Sequence, residues 1–176
     1  MESSRSRWLR TTGIESEANL PFAGLHQLLR PVQSHIDGLP EPQRHALLSA
    51  FGATAATPPD LFLIALATLN LLSDLAAATP VVVIADDAQF IDRPTCDVLV
   101  FVARRIESDP IVFVAAVRDG FESPLVQSRL RELRLEALDE SPARALLEAR
   151  APGVPEVHRR LVLQQAAGNP LALAEL

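Results

Sequence analysis

The chain has 176 residues, of which 48% are hydrophobic and 22% charged, a composition that supports a packed core and excludes intrinsic disorder. Its net charge of −6 argues against non-specific binding to nucleic acid or an acidic membrane, which needs a basic face. A single cysteine, Cys96, excludes an internal disulfide and any Cys-rich zinc site, and all 16 basic residues are Arg, so lysine Schiff-base chemistry is impossible too.

Residues 8–12 read as a first strand that ends at Gly13. After a polar link, Pro21 opens a helix with Phe22, Leu25, Leu28 and Leu29 at helical spacing, and Pro31 limits it. A second helix is predicted over 42–51, with Gly52 as its C-cap, and residues 54–59 read as a loop. Asp60 is placed to cap a long apolar helix over 61–78. Its most apolar stretch is interrupted by Thr68 and Asn70 and reads as a buried helix, not a membrane span. The N-terminus shows no apolar signal core. Together with the lone cysteine, this leads to a cytoplasmic expectation.

The centre of the chain is the most informative. Residues 81–85 and 111–117 are β-branched, apolar runs bounded by Pro80 and Pro110. Neither alternates polar with apolar, which predicts strands covered on both faces in a parallel sheet. Between them a helix is predicted over 93–107, with Asp92 as N-cap and Val98, Val102 and Ile106 as its inward stripe, helped by Leu99 and Phe101. Strand, helix, strand is a right-handed βαβ unit. Beyond it come a helix over 124–133, a strand-like segment 133–135, a helix entered through Ser141-Pro142, and a helix over 154–167. Gly168-Asn169-Pro170 then breaks the chain. The α/β part is expected to occupy 1–138 and the helical part 139–176.

Parallel βαβ sheets bind ligands at the carboxyl ends of their strands. The first central strand runs into Asp86-Asp87, followed by Gln89, and the second runs into Arg118-Asp119. Two acids after an apolar strand suit a hydrated magnesium ion and an activated water, and an arginine opposite suits a terminal phosphate. The same residues are also ordinary turn chemistry, in which Arg118 simply pairs with Asp119 or Asp86. His26, His35, His45 and His158 have no ligand spacing, and no Gly-x-Ser-x-Gly elbow occurs. Cys96 sits early in a helix, where a thiolate can be stabilised, but it reads better as a small packed residue.

The blocks GIESEANLPFAGLHQLLRP (13–31), VVVIADDAQFID (81–92), FVARR (101–105), AAVRDG (115–120) and GNPLAL (168–173) span nearly the whole chain. In them the chain resembles the nucleotide-binding domain of the large LuxR-type bacterial transcriptional regulators, a branch of the AAA+-like STAND NTPases. The resemblance implies that residues 81–87 are the Walker B strand, with Asp86 as the magnesium-associated acid and Asp87 as the acid beside the attacking water. It further implies that Arg118 is the sensor after the next strand, and that Gly168, Asn169 and Pro170 form a nucleotide-proximal motif in the helical region.

The departures from the family shape the expectation. There is no Gly-x-x-x-x-Gly-Lys-Ser/Thr and no lysine to complete one. Nor is there a DNA-binding helix-turn-helix. The fold expected is therefore an incomplete P-loop-NTPase-like α/β sheet followed by the start of a helical region, lacking the family's first strand from the middle of its sheet. Such a fold leaves strand edges uncovered and is prone to borrow a strand. ATP and magnesium serve the intact family, but this chain alone is expected to bind neither. Its partner would be a full-length regulator or another protein, with no nucleic acid or membrane. The alternatives are a functional ATP-dependent regulator whose P-loop and helix-turn-helix lie outside this chain, and an unrelated α/β small-molecule domain using Asp86, Asp87 and Arg118.

Overall fold

A computed structural model describes residues 6–52 and 60–175. The predicted loop 54–59 lies outside the described residues. The chain divides into two compact units, residues 1–131 and 132–176.

The first unit is built on three parallel strands, β1 (Arg7–Thr12), β2 (Val81–Asp86) and β3 (Ile111–Ala115), in the order β1-β2-β3. The register sets Trp8 beside Val82 and Val82 beside Val112, then Arg10 beside Ile84 and Ile84 beside Val114. The helices are α1 (Ala23–Leu29), α2 (Glu41–Ala50), α3 (Leu61–Ala78), α4 (Arg93–Ala103) and the single turn α5 (Pro124–Gln127). The fold is thus α/β, a parallel sheet with flanking helices.

The strand order explains where the core lies. Two right-handed crossovers that step the same way across a sheet deliver their helices to the same face. Leu9, Thr11, Val81, Val83 and Ala85 point to that face and are buried with Leu25, Leu28, Leu72, Leu75, Leu99 and Val102. On the other face Trp8, Val112 and Val114 are 64%, 55% and 50% exposed. The expectation that these strands are covered on both faces is therefore corrected: β3 is open on that face, and on β2 Val82 and Ile84 are only half-buried. An unbroken apolar run signals two-sided burial only when the strand order reverses somewhere, and among the described strands it does not.

Capping chemistry sets several helix starts. The Asp60 carboxylate accepts from the N–H groups of Phe62 (2.9 Å) and Leu63 (3.1 Å), which opens α3 at the predicted residue. This 18-residue helix, of mean hydropathy 1.9, is long and apolar enough to cross a membrane by composition alone. Here it buries Ile64, Ala65, Ala67, Leu71, Leu72, Leu75 and Ala76, and its buried Thr68 hydroxyl donates to the Ile64 carbonyl at 2.8 Å. Pro31 does not end the structure after α1. The chain continues as a 3-10 helix over Arg30–Gly38 that buries Val32 and Ile36, because a proline in a first turn forfeits no needed N–H.

Other boundaries differ from the sequence reading. Helix α4 stops at Ala103, so Arg104 and Arg105 follow the helix, and Ile106 is buried beyond it. Arg104 donates to the Ser128 carbonyl at 2.8 Å, and Arg105 lies over the Phe101 ring. Strand β3 ends two residues early, at Ala115. Residues 133–135 form no strand, and Leu133 and Leu135 are each 84% exposed.

The second unit holds α6 (Glu140–Arg150), α7 (Glu156–Ala166) and α8 (Pro170–Glu175). Helix α6 starts one residue before Ser141, so Ser141 is not its cap and Pro142 falls within the first turn, where its missing N–H is harmless. The core is small, formed by Ala143, Ala166 and Leu173 with Leu138, Leu146, Val162, Leu163 and Ala172 around it. Arg144 bridges to Glu156 at 2.9 Å, and Arg159 pairs with Glu148.

Candidate functional site

Strands β2 and β3 are hydrogen-bonded neighbours, so Asp86, Asp87 and Arg118 do share the carboxyl-terminal edge of the sheet. The junction is tied down by backbone. Ala116 N–H donates to the Ala85 carbonyl and Ala88 N–H to the Ala116 carbonyl, both at 2.9 Å. Asp86 closes β2 opposite Thr12, and its Oδ1 accepts the Asp87 N–H at 3.0 Å. Asp87 adopts a left-handed conformation (φ 46°), which turns the chain sharply out of the strand into a 3-10 turn over Ala88–Phe90.

Each acid has its own guanidinium. Asp86 pairs with Arg10, which stands on β1 two residues before Thr12, the register partner of Asp86, and so on the same sheet face. Asp87 pairs with Arg118, whose Nε donates to Oδ1 at 3.1 Å. Gln89 clasps this second pair. Its Nε2 donates to Asp87 Oδ1 (2.9 Å) and its Oε1 accepts the Arg118 N–H (3.2 Å). The hydrogen bond from Gln89, then those and the charge of Arg118, hold the Asp87 carboxyl below its ordinary value against partial desolvation. Arg118 thus pairs with Asp87, which was not among the partners weighed from sequence.

Sequence reasoning missed Arg10. The available signal was an arginine in the middle of a short strand, at a position alternating with the buried Leu9 and Thr11. It also gave no role to Phe90, whose ring lies 5.8 Å from the Arg118 guanidinium and packs edge-on against Phe121 at 5.7 Å.

Gly13, at the end of β1, packs against the same turn. A Cβ there would overlap the Asp87 carbonyl and stand 2.8 Å from Ile91 N, so only glycine lets the two backbones meet.

Gly168, Asn169 and Pro170 lie in the second unit. Ala167 and Gly168 both have positive φ (46° and 78°), and the Asn169 Oδ1 caps α8 by accepting from Leu171 N (2.9 Å) and Ala172 N (3.3 Å). The Gly168 carbonyl accepts the Leu138 N–H at 2.8 Å. Their visible work is to end one helix and start the next.

Cys96 is fully buried, its Sγ 3.7 Å from the Ile91 carbonyl. Burial first, then the nearby Asp92 carboxylate, pushes its thiol up to about 11, the opposite of an activated nucleophile.

Magnesium is usually held by one or two carboxylates together with phosphate oxygens. Asp86 and Asp87 could supply the first part. Among the described residues no three His, Cys, Asp or Glu side chains gather to hold a metal without phosphate. The phosphate grip itself needs clustered backbone N–H groups and, in P-loops, a lysine. The sequence has neither a glycine-rich loop nor a lysine, so these residues do not by themselves fit Mg-ATP.

No protein-family model matches the chain, and neither a curated protein nor a solved structure does.

Proposed function

We propose that this chain is part of the ATP-binding regulatory domain of a cytoplasmic LuxR-type transcriptional regulator, and that by itself it neither binds nor hydrolyses ATP. The observation that carries this reading is the edge where Asp86-Asp87, ending an apolar strand, meets Arg118 from the adjacent strand, with both carboxylates already paired to arginine. In the reading, Asp86 is the acid that serves magnesium, Asp87 and Arg118 are the pair that faces the terminal phosphate, and Gly168-Asn169-Pro170 belongs to the helical region behind the nucleotide. Two carboxylates without a positively polarised cradle repel a triphosphate, so these roles await residues that this sequence lacks. The partner that supplies them is a protein.

A titration with fluorescent ATP and magnesium tests the reading. No saturable binding is expected at micromolar nucleotide. Saturable micromolar binding, abolished by Asp86→Ala, would overturn it. Reading the DNA in frame upstream supplies the second arm: a glycine-rich loop ending in Lys-Thr or Lys-Ser supports a complete ATP-dependent regulator.

A further inference from the structure

The sheet has two outer edges, and they differ. At the two ends of β3, Val81 N–H of β2 donates to the Pro110 carbonyl (3.0 Å) and Ala116 N–H to the Ala85 carbonyl of β2 (2.9 Å). Even-numbered residues therefore face β2, and the N–H groups of Ile111, Phe113 and Ala115 point away from the sheet. Ile111 N–H turns back to the Asp109 carbonyl at 2.7 Å. Among the described residues nothing accepts from the Phe113 or Ala115 N–H. The β1 edge is guarded instead. The outward Thr12 N–H is taken by the Gln27 side chain at 2.9 Å, and Arg7 and Arg10 bring charge to the strand. Strand β3 (IVFVA) carries no charge and no proline within it, none of the devices that keep a strand edge from pairing. Its two outward-facing valines extend an apolar face already open to solvent.

We propose that the free edge of β3 pairs antiparallel with the same strand of a second copy of this chain, joining two three-stranded sheets into one of six. A two-fold axis through Phe113 sets Phe113 opposite its counterpart and Val112 opposite Val114 of the other copy. No charged residue lies within the strand to meet its own copy. At the ends, Arg118 of one copy falls opposite Ser108 of the other, between Glu107 and Asp109, while Asp119 falls opposite Glu107. Parallel pairing would set acid against acid and arginine against arginine. The proposal rests on strand order and hydrogen bonding alone and stands apart from the nucleotide reading.

The test is light scattering across a dilution series with two double variants, Val112→Lys/Val114→Lys and Val112→Glu/Val114→Glu. Both positions are exposed, and circular dichroism checks that the variants fold. The unsubstituted chain is expected to form a dimer that dissociates on dilution. Each double variant is expected to be monomeric, because like charges then face each other, and an equal mixture of the two should regain the dimer. Hydrogen exchange on the unsubstituted protein gives an independent readout, with the Phe113 and Ala115 amides slowing as dimer forms. A monomer at every concentration, a dimer that survives the double lysine substitution, or a dimer whose Phe113 and Ala115 amides exchange freely would each overturn the proposal.

Discussion

The Asp92 carboxylate accepts the backbone N–H of Phe22 at 2.8 Å, joining the N-terminus of α1 to that of α4 through one buried side chain. The same carboxylate accepts Gly24 N–H (3.0 Å), Thr95 N–H (3.0 Å) and the Thr95 hydroxyl (2.7 Å). Thr95 Oγ1 in turn accepts Leu25 N–H at 3.0 Å. Two helix starts are thus capped by a pair of residues, and Phe22 is held in its left-handed turn (φ 64°).

Replacing Asp92 with Ala strands two buried N–H groups, a half-buried one and a hydroxyl. The expected loss is about 3 kcal/mol or more, because charged acceptors are worth more than neutral ones and orphaned donors carry their desolvation cost. Asp92→Asn keeps one acceptor oxygen and should lose roughly half as much. Urea unfolding followed by circular dichroism reads both, and a loss under about 1 kcal/mol for Asp92→Ala would show that water replaces the carboxylate.

Asp87 gives a pH prediction whose sign follows from its partners. Gln89 and Arg118 favour the charged carboxylate, so its folded pKa lies below its unfolded one. Its contribution to stability is whole above the unfolded value and is lost as the pH falls through the folded value. Asp87→Asn should flatten the acid limb of the stability curve without changing the neutral region's slope. A carbon-detected NMR titration should find the Asp87 carboxyl below the usual Asp value, and Gln89→Ala or Arg118→Ala should each raise it.

Cys96 should be nearly inert in the folded protein. With its thiol pushed up to about 11, only about one molecule in a thousand carries a thiolate at pH 8, and burial closes the approach. Ellman's reagent should react slowly with the native chain and at once in urea. Rapid native labelling would show that α4 opens readily around it.

Ala167 ends α7 in a left-handed conformation (φ 46°), a setting that favours glycine. Ala167→Gly is expected to stabilise the chain by about 0.5–1 kcal/mol after the entropy of the freer unfolded chain is counted. A thermal melt of the second unit's signal within the full chain checks it.

Where a single local cause sets the structure, the sequence was readable. Asp60 and Asp92 announce α3 and α4, and Pro80 and Pro110 announce β2 and β3, because caps and prolines act within a few residues. Asp86, Asp87 and Arg118 could be placed at one edge because a βαβ unit leaves little choice of topology. What escaped depends on distant partners. The identity of Val112 and Val114 says that they are apolar, but whether anything covers them depends on the direction in which the sheet is extended. Likewise Arg10 meets Asp86 only because β1 and β2 align in a particular register. Ser141 looked like a cap by type, yet Asp139 stands one place before the helix, and Pro142 tolerates a place inside the first turn.

The bare side of the sheet also carries the only tryptophan in the chain. Trp8 sits there with its indole N–H bonded to the Ser6 hydroxyl at 2.9 Å. Its fluorescence is therefore a built-in optical gauge for that surface alone. Emission should begin at the red end typical of a wetted indole and move blue whenever something dry settles over β1, with no dye or label added.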